Sequence, residues 1–384
     1  MNDPGIGEPV LTAAAFDKRL NKASLGIRDY LKTPDIIGIV EIENLTTLQA
    51  LATRINSDAV AASQPDPQYI AYLVEGNDVG GIDVGFLVKT SPVTGMTPRV
   101  SVTEVVQENA AETFLNPDNS TSLLNDRPAL RLNAVINHPN GANYPITVIV
   151  NHLRSLNGAN SETAGSNGWA TDGARIRAKR QKQAESLANL VQARQMANPA
   201  ERIILVGDFN AFEFNDGLGH SMGTIQGTPA PDNETAVAGD GTDLVNPDLT
   251  NLFNTAPPTE QYSFVFDGNA QSLDHVIVND DVISSTLSRR VEHPRINADF
   301  PEITRNATGI ARLADHDPIV SYYQVAAFMS ADLSITKTDG VTTVVPGVLS
   351  PTRLRHLMQD RAMLQGRRYR ILSLRPLQGL HGLV

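Results

Sequence analysis

The sequence predicts an α/β protein in which mixed β-sheets pack as a sandwich. The first observation is a series of short, unbroken apolar runs, which are typical of strands covered on both faces. The second is that amphipathic helices, with apolar residues three and four positions apart, lie between some of these runs. The third is that several predicted strands follow each other directly. A doubly wound parallel sheet alternates strands with helices, so the pattern favours mixed sheets.

Length and composition fit one large domain with an appendage, or two ordinary domains. The chain has 384 residues, 41% of them hydrophobic and 19% charged, which is enough to bury a sizeable core. It has no cysteine, which excludes disulfides, thiol nucleophiles and cysteine metal sites. No apolar run approaches the ~20 residues of a membrane span, and the first residues lack the pattern of a signal peptide. The net charge of −11 gives no overall attraction to nucleic acid.

The elements of the first half alternate only at the start. Apolar residues on one face, from Phe16 to Leu31, predict a helix over residues 9–32, which Pro34 ends. A buried strand over 35–41 and a helix over 45–55 follow. Further strands are predicted at 69–75, 82–89, 99–106, 127–136 and 144–153, the first two as a pair.

The second half begins with a long helix over 174–196 that is rich in basic residues at its start. The apolar run 203–206 predicts a buried strand, and residues 216–248 are rich in Gly, Pro and Thr without periodicity, which predicts a surface loop. Strands are predicted at 262–266, 272–278 and 319–325.

Polar side chains stand where many of these strands end. Asp208 and Asn210 follow the strand at 203–206, and their spacing of two places both side chains on the same side of the chain. Alone, this Asp-x-Asn pattern is equally compatible with a turn that caps the strand. The other polar residues at or near strand ends are Glu41, His152, Asp274, Asp315 and His316.

This set supplies groups that suit a hard divalent cation and groups that suit proton transfer. Carboxylate and amide oxygens are the ligands of hard divalent cations, and Mg²⁺ uses one or two carboxylates together with phosphate and water. Histidine exchanges protons near neutral pH, and a buried Asp behind it fixes its tautomer. The sequence has neither the nucleophile elbow of a serine hydrolase nor a glycine loop that cradles phosphate.

Seven motifs, in the same order, resemble those of the endonuclease/exonuclease/phosphatase superfamily, the family of pancreatic deoxyribonuclease, and most closely its secreted bacterial nucleases. They span residues 35 to 318. The motifs are Asp35-Ile-Ile-Gly-Ile-Val-Glu41, Gly81-Ile-Asp-Val-Gly-Phe-Leu87, Asp126-Arg-Pro128, Val150-Asn-His152-Leu, Gly207-Asp-Phe-Asn210, Ser272-Leu-Asp274-His275 and Ala314-Asp-His-Asp-Pro318.

The resemblance implies a four-layer α/β sandwich, two mixed sheets flanked by helices, and a role for each matching residue. Glu41 and Asp315 would hold the metal, Mg²⁺ with Mn²⁺ and Ca²⁺ as alternatives. Asp208 and Asn210 would position the phosphate and attacking water, or a second metal. His316 with Asp274, and His152, would be acid and base, without assignment of which is the base. Arg127 would contact a phosphate, and Asp83 would orient His152.

Basic residues of the long helix lie close in sequence to the His152 loop. Arg177 and Arg180 are therefore candidate contacts to the substrate backbone. The alternative is a solvated basic helix face. Trp169 either stacks on a base or packs on its own loop.

Two features depart from the family. Its first core strand, which carries an asparagine, has no counterpart in this sequence, so either the chain is truncated or another segment fills the gap. At the other end, residues 329–347 resemble the start of an extracellular β-sandwich repeat, and residues 348–384 form an Arg/Leu-rich tail, expected to be disordered or loosely helical. The catalytic domain is expected to span residues 1–328.

The sequence thus predicts a metal-dependent phosphodiesterase, an extracellular nuclease that cleaves DNA, with RNA as an alternative substrate. A monomer without a membrane span is expected. Within the same fold, a phosphomonoesterase or a phospholipid-headgroup phosphodiesterase is the alternative. A basic loop and helix, without a lipid-inserting apolar hairpin, favour nucleic acid. A non-catalytic surface module is the alternative of another class.

Overall fold

The computed structural model describes residues 11–141 and 143–325, together with the main chain of three strands at 332–338, 353–359 and 368–374. Its helices are α1 (Ala13–Leu25, continued by a π-helical turn Gly26–Tyr30), α2 (Leu45–Ala61), α3 (Asp172–Ala197), α4 (Ser221–Gln226) and α5 (Asp280–Ser285). No helix in the described ranges is both long and apolar enough to cross a lipid bilayer.

The strands number twenty in the described part of the chain. They are β1 (Ile36–Ile42), β2 (Tyr69–Leu73), β3 (Asp83–Lys89), β4 (Pro92–Thr94), β5 (Thr97–Pro98), β6 (Val100–Gln107), β7 (Thr113–Leu115), β8 (Thr121–Leu123), β9 (Leu130–Asn137), β10 (Asn143–His152), β11 (Ile203–Asp208), β12 (Thr250–Asn251), β13 (Phe264–Phe266), β14 (Asn269–Gln271), β15 (Asp274–Val278), β16 (Thr286–Glu292), β17 (Ile319–Val325), β18 (Asp332–Thr338), β19 (Arg353–Gln359) and β20 (Arg368–Leu374).

Two six-stranded sheets form the centre of the molecule. The first has the order β16-β17-β20-β1-β3-β2, and the second has the order β12-β15-β11-β10-β9-β6. Both are mixed: β1 is parallel to β20 and antiparallel to β3, while β11 is parallel to β10 and antiparallel to β15.

The sheets pack face to face and helices cover their outer faces. One apolar cluster lies between the sheets, where side chains such as Val40 and Phe86 meet Val150 and Val206. A second cluster joins the first sheet to α1 and α2, and a third joins the second sheet to α3 and α4. The predicted four-layer α/β sandwich with two mixed sheets is confirmed.

The sheets approach each other closely at Gly38 in β1. A Cβ atom at this position would lie 3.0 Å from a methyl of Val206 and 3.1 Å from one of Val150. Glycine therefore allows the two central strands to pack at this distance, which brings the ends of β1, β10 and β11 together.

Side-chain caps fix where the three long helices begin. The Thr12 hydroxyl accepts a hydrogen bond from the Ala15 amide, Asn44 Oδ1 accepts one from Thr47, and the Thr171 hydroxyl accepts one from Ala174. Each cap satisfies an amide that the first helical turn leaves without a partner. Thr171 thereby separates α3 from the loop that follows His152.

Predicted and observed elements agree best where apolar runs are long. The prediction missed β16 and α5, and residues 216–248, predicted as a loop, contain the short helix α4. The predicted domain boundaries at 328/329 and 347/348 fall outside the described residues.

The C-terminal tail corrects one prediction and answers another. Residues 348–384 were expected to lack strands, yet β19 pairs with β18 and β20 lies in the first sheet between β17 and β1. The position of β20 in the middle of the first sheet fits the alternative in which another segment of the chain takes the place of a missing first core strand. The prediction failed because strand pairing is a long-range property that a local Arg/Leu-rich composition does not reveal.

Candidate active site

Three of the predicted site residues lie side by side in the second sheet. His152 ends β10, Asp208 ends β11 and Asp274 begins β15. His152 is the register partner of Asp208, and Asp208 is the register partner of Asp274. Partners on neighbouring strands project to the same side, so the sheet itself aligns these groups in one row.

A short contact between His316 and Asp274 joins the two sheets at the site. His316 precedes β17 of the first sheet, and Asp274 begins β15 of the second sheet. His316 Nδ1 lies 2.7 Å from Asp274 Oδ2, and both side chains are almost completely buried. The Ser263 hydroxyl donates to the same oxygen at 2.7 Å. With Nδ1 facing the carboxylate, a proton exchanged with a bound ligand would be carried at Nε2.

His152 lies between two carboxylates. Its Nε2 is 3.4 Å from Asp208 Oδ2 and 3.8 Å from Glu41 Oε1. Asp208 is fully buried and also holds Asn210, whose amide N–H donates to Asp208 Oδ1 at 2.7 Å and whose Nδ2 donates to Oδ2. Asn210 Nδ2 further donates to the Leu153 carbonyl at 2.9 Å, which ties the ends of β10 and β11 together.

Two site residues have left-handed backbone conformations. Glu41 has φ of 56° at a bulge in β1, and Asn210 has φ of 48°. Such conformations cost roughly 1–3 kcal/mol in residues other than glycine and persist where the surroundings hold them. They place Glu41 and Asn210 where a regular strand would not. This is the local signal that separates them from ordinary strand-end residues.

Gly207 makes the turn after β11 possible. It has φ of 129°, and a Cβ atom there would lie 2.0 Å from the Asn151 carbonyl oxygen. Any other residue would displace β10 from β11 and, with it, His152 from Asp208.

Glu41 and Asp315 are the candidate ligands of a divalent cation. Asp315 Oδ1 is buried and has no hydrogen-bond partner among the described residues. Both carboxylates lie close enough to His316 to raise its pKa. In the ranges that the structure describes, no cluster of three or more acidic or His side chains could hold a metal by itself. The pair suits Mg²⁺, for which water and substrate oxygens complete the coordination shell.

The pKa of His316 reflects two opposed effects. Burial lowers it, but the carboxylates of Asp274, Asp315 and Glu41 together outweigh burial, so the pKa is raised. The neighbouring His275 behaves in the opposite way: burial lowers its pKa to about 4, and its Nε2 lies 2.9 Å from the Ala211 carbonyl. His275 is thus a neutral structural residue, whereas His316 can carry the charge of an acid catalyst.

The residues predicted to contact the substrate differ in their exposure and in their hydrogen-bond partners. Arg127 Nη2 donates to the Leu153 carbonyl at 3.2 Å, and its Nη1 is 3.8 Å from Asp78 Oδ1, so it lies beside the site but is partly engaged. Arg177 is partly exposed and donates to the Ala159 carbonyl at 2.6 Å. Both remain candidate contacts. Trp169 donates its indole N–H to Asn116 Oδ1 at 3.0 Å and is partly buried in its loop region.

Arg180 requires a correction. Its side chain is buried, and its two terminal nitrogens donate to the carbonyls of Arg154 and Asn210, the latter at 2.7 Å. It therefore positions the main chain of the site and does not face a substrate. The prediction overlooked that Arg180 lies on the buried face of α3, four residues after Ile176 and four before Ala184.

Asp83 also has a different role from the predicted one. Its Oδ1 accepts a hydrogen bond from the Gly76 amide at 2.7 Å, and none of its contacts in the described part of the chain is with His152. Burial, with a hydrogen bond to Glu75, raises the pKa of Asp83 to about 8. A protonated Asp83 bonded to Glu75 stabilises the loop between β2 and β3 and does not orient the histidine.

The sequence analysis missed three residues at the site. Phe264, at the start of β13, stacks on the His316 ring with centroids 4.2 Å apart. Asp317 is buried, pairs with Arg295 at 3.1 Å and accepts main-chain amides of residues 296–298. Arg154 directly follows the His152-Leu pair. Asp317 lies inside the motif at 314–318 and Arg154 directly follows the motif at 150–153, and these positions were the available signal.

Comparisons with known proteins concern the fold. No family model and no curated protein matches the chain. Solved structures do resemble it. A truncated TDP2 from Caenorhabditis elegans has a TM-score of 0.44 and 13% identity over 82% of this chain and 93% of that one. An endonuclease/exonuclease/phosphatase from Bacteroides vulgatus has 0.45 and 13% over 81% and 92%.

An AP endonuclease from Archaeoglobus fulgidus has a TM-score of 0.44 and 13% identity, over 81% of this chain and 96% of that one. At this identity the likeness concerns fold alone. The assignment of the fold depends on the two packed sheets and their helices. Of these structures, the Bacteroides vulgatus protein carries the name endonuclease/exonuclease/phosphatase.

Proposed function

We propose that this chain is a metal-dependent phosphodiesterase that cleaves nucleic acid, with DNA as the first substrate to test and RNA as the second. The observation that carries the proposal is the alignment of His152, Asp208 and Asp274 in one row, opposite Glu41 and Asp315-His316. The row comes from one sheet and the opposing groups come from the other, so only the folded sandwich assembles them.

The residues divide into three roles. Glu41 and Asp315 would hold Mg²⁺, which would neutralise negative charge on a phosphoryl oxygen. Asp208 and Asn210 would orient the attacking water and the phosphate through a carboxylate and an amide held rigidly to each other. His316 would hold a proton at Nε2, with Asp274 fixing the ring at Nδ1 and stabilising its positive charge.

His152 is the second candidate for proton transfer. Its Nε2 already faces two carboxylates, so a charged His152 would be stabilised when a phosphate displaces water from the site. The two histidines stand in different electrostatic surroundings, which is how a pair of groups takes opposite acid and base roles.

Nucleic acid is favoured over a lipid headgroup by what surrounds the site. Arg127 and Arg177 lie on the loop and helix next to His152, and the tip of the β13–β14 hairpin is the polar pair Asp267-Gly268. An arginine is suited to phosphate contact, whereas a polar tip is poorly suited to insertion in a membrane. An extracellular or cell-surface location and a monomeric state are part of the proposal and are supported by the sequence alone.

The experiment is a hydrolysis assay with four substrates: supercoiled plasmid, single-stranded RNA, p-nitrophenyl phosphate and sphingomyelin vesicles. We expect nicking of the plasmid with Mg²⁺ or Mn²⁺ and none with excess chelator. Hydrolysis of only the monoester, or only the vesicles, would transfer the proposal to one of the alternatives of the same fold. No hydrolysis of any substrate would support a non-catalytic module.

A further inference from the structure

The main chain that follows His152 is held unusually firmly. The Arg154 amide donates to Gln183 Oε1 at 2.8 Å, and the Arg154 carbonyl accepts from Arg180 Nη1. Both contacts come from α3, and both are made with the main chain of residue 154. The same Arg180 guanidinium holds the Asn210 carbonyl at 2.7 Å. Residue 154 is therefore fixed beside Asn210, at the rim of the candidate active site.

The side chain of Arg154, unlike its main chain, is not held by such contacts. It is partly exposed, and no described residue forms a hydrogen bond or ion pair with its guanidinium. Nearby arginines are engaged: Arg175 pairs with Asp172 at 2.7 Å, and Arg177 donates to a carbonyl. A rigid main chain thus presents one unpaired guanidinium next to the site.

The electrostatic surroundings of Arg154 favour an anion. Arg180 is buried and forms no ion pair with a described residue. Burial lowers the pKa of Arg180, Asp216 raises it, and the nearby charge of Arg154 lowers it again. Two guanidinium groups without a paired carboxylate gain stability when a negatively charged group binds between or beside them. A planar guanidinium is also the side chain best suited to bidentate contact with phosphate.

We propose that Arg154 binds a phosphate that flanks the scissile phosphate of a nucleic acid strand. The inference rests on the proposed function, and it makes Arg154 a substrate-binding residue that favours strands over small diesters. A small diester such as bis(p-nitrophenyl) phosphate has no flanking phosphate. Loss of the Arg154 charge therefore weakens the binding of strands by a larger factor than it changes the turnover of the small diester.

The test uses Arg154→Gln in the full chain, because Gln183 and Arg180 contact only the main chain at this position. Lys182→Gln is the matched control, because this substitution also removes one positive charge. Lys182 is exposed on α3 and pairs with Glu185. Binding of a single-stranded DNA oligonucleotide is measured with chelator present, over a range of salt concentrations. We expect Arg154→Gln to bind about tenfold more weakly and to lose about 0.7 from the log–log salt slope.

A second arm locates the contact on the ligand. Oligonucleotides that carry one neutral methylphosphonate, at successive positions, are compared for parent and variant. At one position the neutral linkage should weaken binding to the parent, whereas Arg154→Gln should bind this oligonucleotide as it binds the fully charged one. Equal losses for both proteins at every position would overturn the inference, as would unchanged affinity and salt slope for Arg154→Gln.

Failure of the inference is separable from failure of the proposed function. Parent protein that hydrolyses bis(p-nitrophenyl) phosphate with Mg²⁺, beside an Arg154→Gln variant that binds strands as the parent does, overturns the inference alone. Parent protein that neither binds the oligonucleotide nor hydrolyses the diester overturns both. Parallel circular dichroism spectra establish that the variants are folded.

Discussion

At the scale of single residues, the surroundings shift the pKa values of histidines that look alike in sequence in opposite directions. His316 has three carboxylates around it and a raised pKa, whereas burial outweighs the effect of Asp274 on His275 and is the main effect on His293, so both of these have lowered pKa values. For His293, burial lowers the pKa to about 3, and neither ring nitrogen has a hydrogen-bond partner in the described part of the chain. Its edge packs against Phe253, with centroids 5.1 Å apart.

This burial predicts acid sensitivity. Between pH 6.5 and about 3 the unfolded chain binds a proton at His293 and the folded chain does not, so stability falls as pH falls through this window. Each pH unit costs up to about 1.4 kcal/mol. We expect His293→Leu to reduce the loss of stability between pH 6.5 and pH 5, measured by urea unfolding at the two pH values. An identical loss in parent and variant would contradict a neutral buried His293.

The sequence identified site residues well where a polar group interrupts an apolar run. Asp208, Asp274 and His316 stand out because a polar or charged side chain at a buried strand is costly unless it has a partner. Arg180 and Asp83 were misassigned because their surroundings are set by the other elements: α3 turns Arg180 inward, and burial, with a hydrogen bond to Glu75, raises the pKa of Asp83. Its position beside a motif singles out Arg154 only weakly, because the lack of a charge partner for its side chain among the described residues is seen only in three-dimensional contacts.

At the scale of elements, α3 acts as a clamp on two strand ends. Arg180 joins the carbonyls after β10 and β11, and Gln183, one turn further on, holds the Arg154 amide and the Leu124 carbonyl. The clamp lies on the face of α3 that also packs Ala184 and Leu187 into the core. The position of the helix therefore determines the position of Asn210.

We predict that Arg180→Met lowers kcat of phosphodiester hydrolysis by about 10–100-fold, because a misplaced group near the reacting atoms costs rate in this range. The KM for a small diester should change little, since Arg180 contacts the main chain and not the substrate. Arg175→Met is the control, because that residue pairs with Asp172 on the exposed side of α3. A variant with raised KM and unchanged kcat would instead place Arg180 in contact with substrate.

Element boundaries were predicted unevenly for a physical reason. Strands such as β1 and β11 are buried on both faces, so their apolar runs are unbroken and easily recognised. By contrast, β16 is largely exposed or half-buried and follows the short helix α5 without a break, and its pairing with β17 supplies what its own sequence lacks. The strand β16 therefore forms because it pairs with β17.

At the scale of the whole molecule, the first sheet is completed from the far end of the chain. β20 joins β17 and β1 in the middle of the sheet, pairing Ile371 with Ile36 on one side and with Ser321 on the other. Glu41 ends β1, and Asp315-His316 precede β17, so β20 separates the two strands that deliver the candidate metal ligands. Its presence therefore sets the distance across the site.

Deletion of residues 348–384 should leave an open slot between β17 and β1. Unpaired main-chain groups on both strands would cost on the order of 3 kcal/mol or more, a fall in Tm of about 5–10 °C, and would promote self-association. Differential scanning calorimetry and size-exclusion chromatography measure both effects. Deletion of residues 375–384 is the control, because it leaves β20 in place. Equal Tm values for the two deletions would show that β20 contributes nothing to the sheet.

The central claim is that residues from both sheets form one metal-dependent phosphodiesterase centre, and the rate of His316→Ala tests it most directly. Initial rates of Mg²⁺-dependent cleavage of a DNA oligonucleotide are compared for the parent, His316→Ala and His138→Ala, a partly exposed histidine whose Nδ1 lies within hydrogen-bond distance of Asn140 Oδ1. We predict a fall of about 10²–10⁴-fold for His316→Ala and a change of less than twofold for His138→Ala. Cleavage by His316→Ala at the rate of the parent would contradict the account.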